Sequence, residues 1–510
     1  MQTRWTILVA ISSLLLLLFF YFKIIRFQGL YYTFNDMYIF LQSSRSWING
    51  RPLLYENVWG YSDRIHNNYL MLLWGPIIYI CGAYGAFIVQ TGLSIVSYSL
   101  MLQYLSHRAR AWVGWLFLLV LLVGPIWFWF NDHPGIGWHP ELTYLPLSIL
   151  FILTLLIHEC RWFWITAALM VLVKEDGALL AGSIHLAFLS IQYLHADRTR
   201  NIFGVLTQQR FWLVLGGWAI VFITGMAFLS YKNHAYEPEP RLQQALDVIA
   251  AGMRERRFIL KNLKLLFLTA LLLLPSVGML LYGLYQVKWR QSRSVLLIYV
   301  IAQLALLLSN WVQGATYYGT NAFFDLVSLT WPPRFVLVYA FSFTYILAFW
   351  TFFGAGKTAI LAWKPTVIGF CLLFIQLPIV QYVRPDFHLI SIARTLLRHH
   401  IDPAKEPLLP SFDVAVIKKL AESIPAHSNV FVFDFLIPFF HKHYTIWPTE
   451  NQWENADLSI IPNDDFQNLS EQLPRVMKHP YRSIQLHTYT IFFTPSFAPY
   501  VNEALRPISQ

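Results

Sequence analysis

Apolar runs close to twenty residues long recur along this chain, and they limit what it can fold into more than any other feature. "ILVAISSLLLLLFFYF" and "LLFLTALLLLPSVGMLLYG" are two of them. A helix rises 1.5 Å per residue, so about 20 residues cross a hydrocarbon core about 30 Å thick. Inside hydrocarbon every backbone N–H and C=O must find its partner within the protein, which makes each such run a helix. Composition agrees: 56% of residues are hydrophobic and 13% charged, against about 25% charged in an ordinary soluble domain. A soluble globular enzyme is excluded, and a polytopic membrane protein is expected.

The runs place spans at 6–22, 84–105, 111–130, 141–157, 160–173, 177–194, 211–231, 264–286, 294–310, 335–353 and 365–382. Eleven crossings put the two termini on opposite sides. The first run follows "MQTRW" and has no A-x-A cleavage site before Lys23, so a retained anchor is expected. Lys23 and Arg26 fall just outside this span. Short basic loops at 106–110, 158–161, 195–210, 288–293 and 354–364 alternate correctly to be cytoplasmic together. The expected location is the plasma (inner) membrane, with a cytoplasmic N-terminus. The net charge of +10 then reflects loops facing anionic lipid rather than nucleic acid, and no basic-aromatic recognition module accompanies it. Cys81, Cys160 and Cys371 are far apart and suggest neither a disulfide framework nor metal spacing.

One apolar stretch carries three consecutive charges, Lys174, Glu175 and Asp176. Arg161 before it and Arg198 after it both favour the cytoplasm, so the chain must rise and return between them. KED is then the turn at the far side. Placing the three charges at mid-bilayer in a single crossing would cost about 2.5–3.5 kcal/mol each. The rising arm has about 14 residues, roughly 21 Å at helical rise, which leaves KED sunk below the outer surface among protein groups. Lys174 could pair with a phosphate, and Glu175 or Asp176 with a sugar hydroxyl or with Lys174 itself. A self-satisfied turn is the structural alternative.

The first external loop is expected over 23–83. Asp36 lies there among Tyr31, Tyr32, Phe34, Tyr38 and Phe40. Met37, Phe40 and Leu41 recur at helical spacing, so this segment could lie flat on the membrane. Asp36 could act as a general base or simply cap a helix. Residues 69–81 are apolar, too short to span, and interrupted by Pro76; they read as a juxtamembrane or re-entrant helix. The next external loop is "NDHPGIGWHPEL", with Asp132, His133, His139 and Glu141 close together. These could bind a divalent cation or polarise a substrate. The structural alternative is a tight turn with Glu141 capping the following helix.

Two further candidates lie later in the chain. The basic patch "RERRFILKNLK" contains Arg254 and Arg257 and could meet the phosphate of a lipid-linked donor or a plain headgroup. Tyr317 lies in an external loop over 311–334, where an aromatic ring can stack on a sugar. "FFGAGKT" is rejected as a phosphate loop: Thr351 stands where the motif needs glycine, and no strand precedes it. From about residue 384 the chain turns polar, with short β-rich runs at 429–435, 443–448, 457–462 and 483–493 separated by helix-like stretches. This reads as a small α/β domain over 384–510, extracytoplasmic in the same topology, following a transmembrane domain over 1–383. The last run is long enough for an antiparallel hairpin.

"FNDMYIFLQSSRSWINGRPLL", then His66, "WHPEL", "VLVKEDGALL" and "SIPAHSNVFVFDFLIPFFHKHYTIWP" occur in that order. In this the chain resembles the prokaryotic membrane family called domain of unknown function 2079, a relative of GT-C-fold glycosyltransferases. The resemblance implies an α-helical, polytopic, GT-C-like membrane protein with about 11 transmembrane helices. It also implies transfer of a sugar from a polyprenyl-phosphate-linked donor to a lipid or glycan acceptor of the envelope, on the outer face. Asp36 would serve as general base or metal ligand. Glu141 would join it in the catalytic group, and Lys174, Glu175 and Asp176 would line the cavity; read from the residues themselves, His66, His139, Arg254, Arg257 and Tyr317 are further candidates for contact with substrate. A divalent metal ion is the one cofactor left open. Two other readings remain at this point: a non-catalytic membrane protein that binds glycolipid or envelope-assembly partners, and a polar-solute transporter.

Overall fold

The structure, a computed structural model, describes residues 2–28, 32, 36–56, 66–107, 137–196, 202–233, 247, 411–425, 428–432, 436–440, 444–446, 456–463 and 481–506. Six of the eleven expected spans fall on these residues, and each is a helix. The spans expected at 111–130, 264–286, 294–310, 335–353 and 365–382 lie outside the described residues.

Helix α1 (Gln2–Gln28) is followed by the short α2 (Asp36–Arg45), α3 (Leu70–Cys81) and α4 (Ala83–Ser106). A 3₁₀ turn at Pro140–Thr143 leads into α5 (Tyr144–Ile157), then α6 (Cys160–Val173), α7 (Gly177–Ala196) and α8 (Gln209–Asn233). Four stretches are long and apolar enough to cross a membrane: Trp5–Gln28, Ala83–Ser106, Pro140–Ile157 and Gln209–Lys232. α5 is the inner helix of the described bundle, buried from Tyr144 to Ser148 and from Phe151 to Leu156, and it packs on α4, α6 and α7. α8 is its opposite: Leu213, Ile220, Ile223 and Tyr231 stand exposed on it, an apolar surface that suits hydrocarbon rather than water.

Two local expectations change. α1 does not stop at residue 22, so Lys23 and Arg26 are helical and buried rather than in a loop. Lys23 donates to Gln90 Oε1 on α4 at 2.7 Å and lies 4.6 Å from the Phe87 ring centroid. Arg26 lies over the rings of Phe22 and Tyr32. Partners of this kind let charged side chains stay inside the bundle. α2, in turn, does not lie on a membrane surface. Every residue from Met37 to Ser44 is buried, and the helix packs on α3. Its polar residues are absorbed internally: Ser43 and Ser44 donate to the carbonyls of Ile39 and Phe40 at 2.7 and 2.6 Å.

After the bundle the chain forms a small five-stranded sheet. Helix α9 (Ser411–Ser423) precedes β1 (Asn429–Val432), followed by α10 (Ile437–Phe440), β2 (Tyr444–Ile446), β3 (Leu458–Pro462), β4 (Arg482–Gln485), β5 (Tyr489–Phe493) and α11 (Ala498–Leu505). The strand order is β2-β1-β3-β5-β4. β1 runs parallel to β2 and β3, with Val430 opposite Leu458; β5 runs antiparallel to β3 and β4, with Ile460 opposite Ile491. The last β run therefore is an antiparallel hairpin. Val416, Ile417 and Leu420 of α9 meet Val501 and Ala504 of α11 in the domain's apolar interior. Lys418 on α9 donates to the Gln28 carbonyl at the end of α1, at 3.5 Å. The sheet domain thus touches the end of the bundle where α1 finishes.

Candidate functional site

The site is assembled from three turns, each set locally by its sequence. In the first, "WHPELT", His139 is extended (φ −145°, ψ 142°) and Pro140 opens the 3₁₀ turn, a position where its fixed φ fits and its missing N–H is no loss. His139 Nδ1 accepts from the Glu141 N–H at 3.4 Å. The capping residue is therefore His139, not Glu141, whose side chain is left for other use. Just before it, Gly137 has φ +80°, and a Cβ there would lie 2.6 Å from the Tyr32 ring; both the backbone angle and the space favour glycine.

The second turn is KED. α6 has 14 residues, and the chain reverses directly after it. Lys174 is extended, and its carbonyl accepts from the Gly177 N–H at 3.0 Å. The Asp176 carbonyl accepts from the N–H groups of Leu179 and Leu180 as α7 begins. A Cβ on Gly177 would collide with the Met170 carbonyl and lie 3.2 Å from Tyr144 Oη, so the reversal packs backbone against backbone. The third turn is the segment entering α3. There the Asn67 amide donates to the Gly225 carbonyl on α8 at 2.9 Å.

The three turns meet through charge. Lys174 Nζ lies 2.7 Å from Glu141 Oε1 and 3.9 Å from Asp176 Oδ2. Tyr144 donates its hydroxyl to Asp176 Oδ1 at 2.5 Å. Glu175 faces the other way: Oε1 pairs with His66 Nδ1 at 2.7 Å and Oε2 accepts from the Asn67 N–H at 3.1 Å. Glu141, Lys174, Glu175 and Asp176 are all buried. Among the described residues, Glu141 Oε2 and Asp176 Oδ2 have no hydrogen-bond donor. Burial works against the Lys174 charge, but Glu141, Asp176 and Glu175 outweigh it and hold the ammonium above the ordinary lysine range. Burial alone would raise Glu175; His66, Lys174 and the Asn67 N–H reverse this and hold it below the usual carboxylate range. Asp176 is pushed up to about 6 by burial and by Glu141 and Glu175, against the pull of Lys174 and Tyr144.

Asp36 is the first residue of α2 and half-buried. Burial, reinforced by the Glu141 charge, lifts its carboxyl to about 6. His139 packs edge-on against Phe40, centroids 4.6 Å apart, and burial, with Lys174 and His66 nearby, depresses its ring to about 4 despite Glu141. It is a neutral imidazole near pH 7. The side chain of His66 is 18% exposed, against 8% for those of Lys174 and Glu175. Asp36 and His66 are thus the more exposed members, and Glu141, Lys174, Asp176 and Tyr144 are buried.

Of the candidates read from the sequence, Asp36, His66, His139, Glu141, Lys174, Glu175 and Asp176 are brought into one electrostatically coupled cluster. Arg254, Arg257 and Tyr317 lie outside the described residues, as do Asp132 and His133. Lys174 donates to Glu141 and has Asp176 as a second carboxylate 3.9 Å away. Among the described residues, the cluster does not fit a divalent ion. The lysine ammonium already occupies the cation position beside Glu141. No three His, Cys, Asp or Glu side chains converge as metal ligands among the described residues. Sequence reasoning missed Tyr144 and Asn67. Tyr144 sits one turn after the quoted "HPEL", and a phenol at the mouth of an apolar helix was its only signal.

No protein-family model and no curated protein matches the sequence. Among solved structures, the chain is similar to ArnT from Cupriavidus metallidurans bound to undecaprenyl phosphate, with a TM-score of 0.54 at 12% identity, covering 96% of this chain and 98% of that one. The apo state of the same protein gives a TM-score of 0.51 at 13% identity, with the same coverage. The likeness is one of fold, and it runs over nearly the whole of both chains.

Proposed function

We propose that this chain is a membrane glycosyltransferase of GT-C type, moving a sugar from a polyprenyl-phosphate-linked donor to a lipid or glycan acceptor of the envelope. The observation that carries this reading is the convergence of Asp36, His66, Glu141 and the KED turn, drawn from four remote segments, at one end of a bundle of this fold. Buried charges inside a membrane protein are expensive and mark function. The solved structure of similar fold holds undecaprenyl phosphate, which supports a lipid-phosphate donor here. The quoted motifs further support membership of the family domain of unknown function 2079.

The chemistry follows from which groups are accessible. Transfer with inversion needs a base to take the proton of the acceptor hydroxyl while the sugar–phosphate bond breaks. Asp36 is half-buried, and its carboxyl, lifted to about 6, is still ionised near pH 7 and basic enough to accept that proton. The layer behind it is an electrostatic frame: Lys174 neutralises Glu141, and the remaining carboxylates keep the local charge negative, which stabilises a sugar carbon becoming positive. In this reading the sheet domain, which touches the bundle where α1 ends, guides the acceptor. In this reading the site opens on the outer face of the plasma membrane, among membrane lipids.

The test is reconstitution of the full chain in vesicles with undecaprenyl-phosphate-linked hexoses, measuring release of undecaprenyl phosphate and labelling of added envelope lipid. Asp36→Asn should fold and bind donor but lose at least about a hundredfold in rate, the usual scale of acid–base catalysis. Equal turnover by wild type and variant would remove Asp36 from the reaction. No turnover by wild type with any hexose donor would remove the reaction itself.

A further inference from the structure

Helix α9 of the sheet domain reaches the bundle at a level that says where the helix lies. Lys418 on α9 donates to the Gln28 carbonyl at 3.5 Å. Gln28 is the last residue of α1 and of the apolar stretch Trp5–Gln28, which has 24 residues. About 20 residues cross the hydrocarbon core, so a stretch of this length ends in the headgroup layer. The middle of α9 therefore stands at a membrane surface rather than out in the water.

The two sides of α9 differ. Val416, Ile417 and Leu420 are buried in the domain. Phe412, Ala415 and Lys419 recur at helical spacing on the opposite side, exposed or half-buried, with Lys418 and Glu422 exposed beside them. Phe412 is 44% exposed, and among the described residues from 411 onward no other large hydrophobic side chain is exposed. A single exposed apolar side chain is ordinary on a soluble domain, but this one stands on the helix that meets the end of a span. It is also held outward. Its ring packs edge-on against His487, centroids 5.5 Å apart, and His487 is tied to the buried Asp413 at 3.1 Å. Among the described residues, Lys418 and Lys419 lie in no ion pair. With Glu422 they leave this side of the helix one net positive charge.

We propose that the exposed side of α9 rests on anionic lipid headgroups at the membrane surface where α1 ends, with Phe412 entering the boundary between headgroups and acyl chains and Lys418 and Lys419 meeting lipid phosphates. An aromatic ring and lysines along one exposed side are the features of a helix lying in the interface. Basic side chains near an anionic surface are attracted to it. The contact with Gln28 brings α9 to the depth where both halves of that pairing are on offer. The docking sets the height of the sheet domain above the bilayer, and it does so whatever reaction the bundle performs.

The experiment is electron paramagnetic resonance on the full chain in nanodiscs, with Cys81, Cys160 and Cys371 replaced by serine and one nitroxide attached at Ala415→Cys. Glu422→Cys serves as a second reporter position on the same side of α9. The discs hold phosphatidylcholine alone or an equal mixture with phosphatidylglycerol. Collisions are measured with oxygen, which partitions into lipid, and with a neutral, water-soluble nickel chelate. The nitroxide should meet oxygen freely and the chelate rarely. Access of the chelate should fall about fivefold from the zwitterionic to the anionic discs, the scale of one net charge near such a surface. Lys418→Gln combined with Lys419→Gln should remove that difference, and Phe412→Ser should raise access of the chelate in both lipids. A nitroxide open to oxygen and chelate alike in both discs would show α9 facing water and sink the proposal. One closed to both would show another protein segment or a second copy covering the helix, which overturns it too. A lipid-like pattern that is the same in the two discs would rule out anionic headgroups as the occupant. None of these outcomes bears on sugar transfer, which the release assay tests separately.

Discussion

Lys174 and Glu141 stand 33 positions apart in the chain and 2.7 Å apart in space, both buried. Breaking a buried ion pair from one side leaves an uncompensated charge and costs about 3–5 kcal/mol. Lys174→Met is therefore expected to lower thermal stability in detergent or nanodiscs sharply. The double variant Lys174→Met with Glu141→Gln should recover a large part of that loss. A Lys174→Met protein that melts with wild type would show that the pair does not hold the turn.

Asp36 makes a signed prediction about pH. Its carboxyl is lifted from 3.8 to about 6 in the fold, so the folded state binds this proton more tightly than the unfolded state. Its contribution is most favourable below the unfolded value, declines as pH rises through the interval up to about 6, and is then level. Asp36→Asn lacks this decline. Compared with wild type, the variant should gain stability between about pH 4 and pH 6.5, by at most about 3 kcal/mol at 1.36 kcal/mol per unit. Denaturation scans at several pH values check it, and a difference constant with pH would contradict it.

Gly177 and Gly216 separate close approach from helix propensity. A Cβ at Gly177 collides with the Met170 carbonyl, while a Cβ at Gly216 meets nothing within 4 Å. Gly177→Ala should cost about 1–3 kcal/mol through forced backbone movement at KED. Gly216→Ala should be neutral or stabilising, by up to about 1 kcal/mol. Thermal unfolding of the two variants side by side tests this, and equal behaviour would refute the packing argument.

In the C-terminal domain, Asp413 clamps the β4–β5 hairpin loop. It accepts from the Thr488 N–H and hydroxyl at 2.8 and 2.5 Å and from the N–H and ring of His487 at 3.3 and 3.1 Å. Burial alone would raise its carboxyl; the bonds to Thr488 and His487 win and hold it below the usual range. The stability it adds is present above the unfolded carboxyl value and is lost as pH falls. Asp413→Asn should loosen this hairpin by about 1.5–3 kcal/mol, the scale of hydrogen bonds to a charged group. Limited proteolysis of the intact protein in nanodiscs should show faster cleavage near residues 486–488, and an unchanged rate would count against the clamp.

Span edges at 84–105, 160–173 and 177–194 were legible in the chain to within two residues of α4, α6 and α7, as was the reversal at KED. The reason is local: hydrocarbon forces each apolar run to satisfy its own backbone, so helix and turn follow from the run itself. Only the tertiary structure decided that α2 is enclosed rather than surface-lying, that Lys23 and Arg26 belong inside the bundle, and that Tyr144 and Asn67 complete the cluster. It alone chose partners for the charges, giving Lys174 to Glu141 and Glu175 to His66. A charge next to other charges in sequence has many possible counter-ions. Which one it meets depends on how helices pack across distances that no short-range pattern encodes.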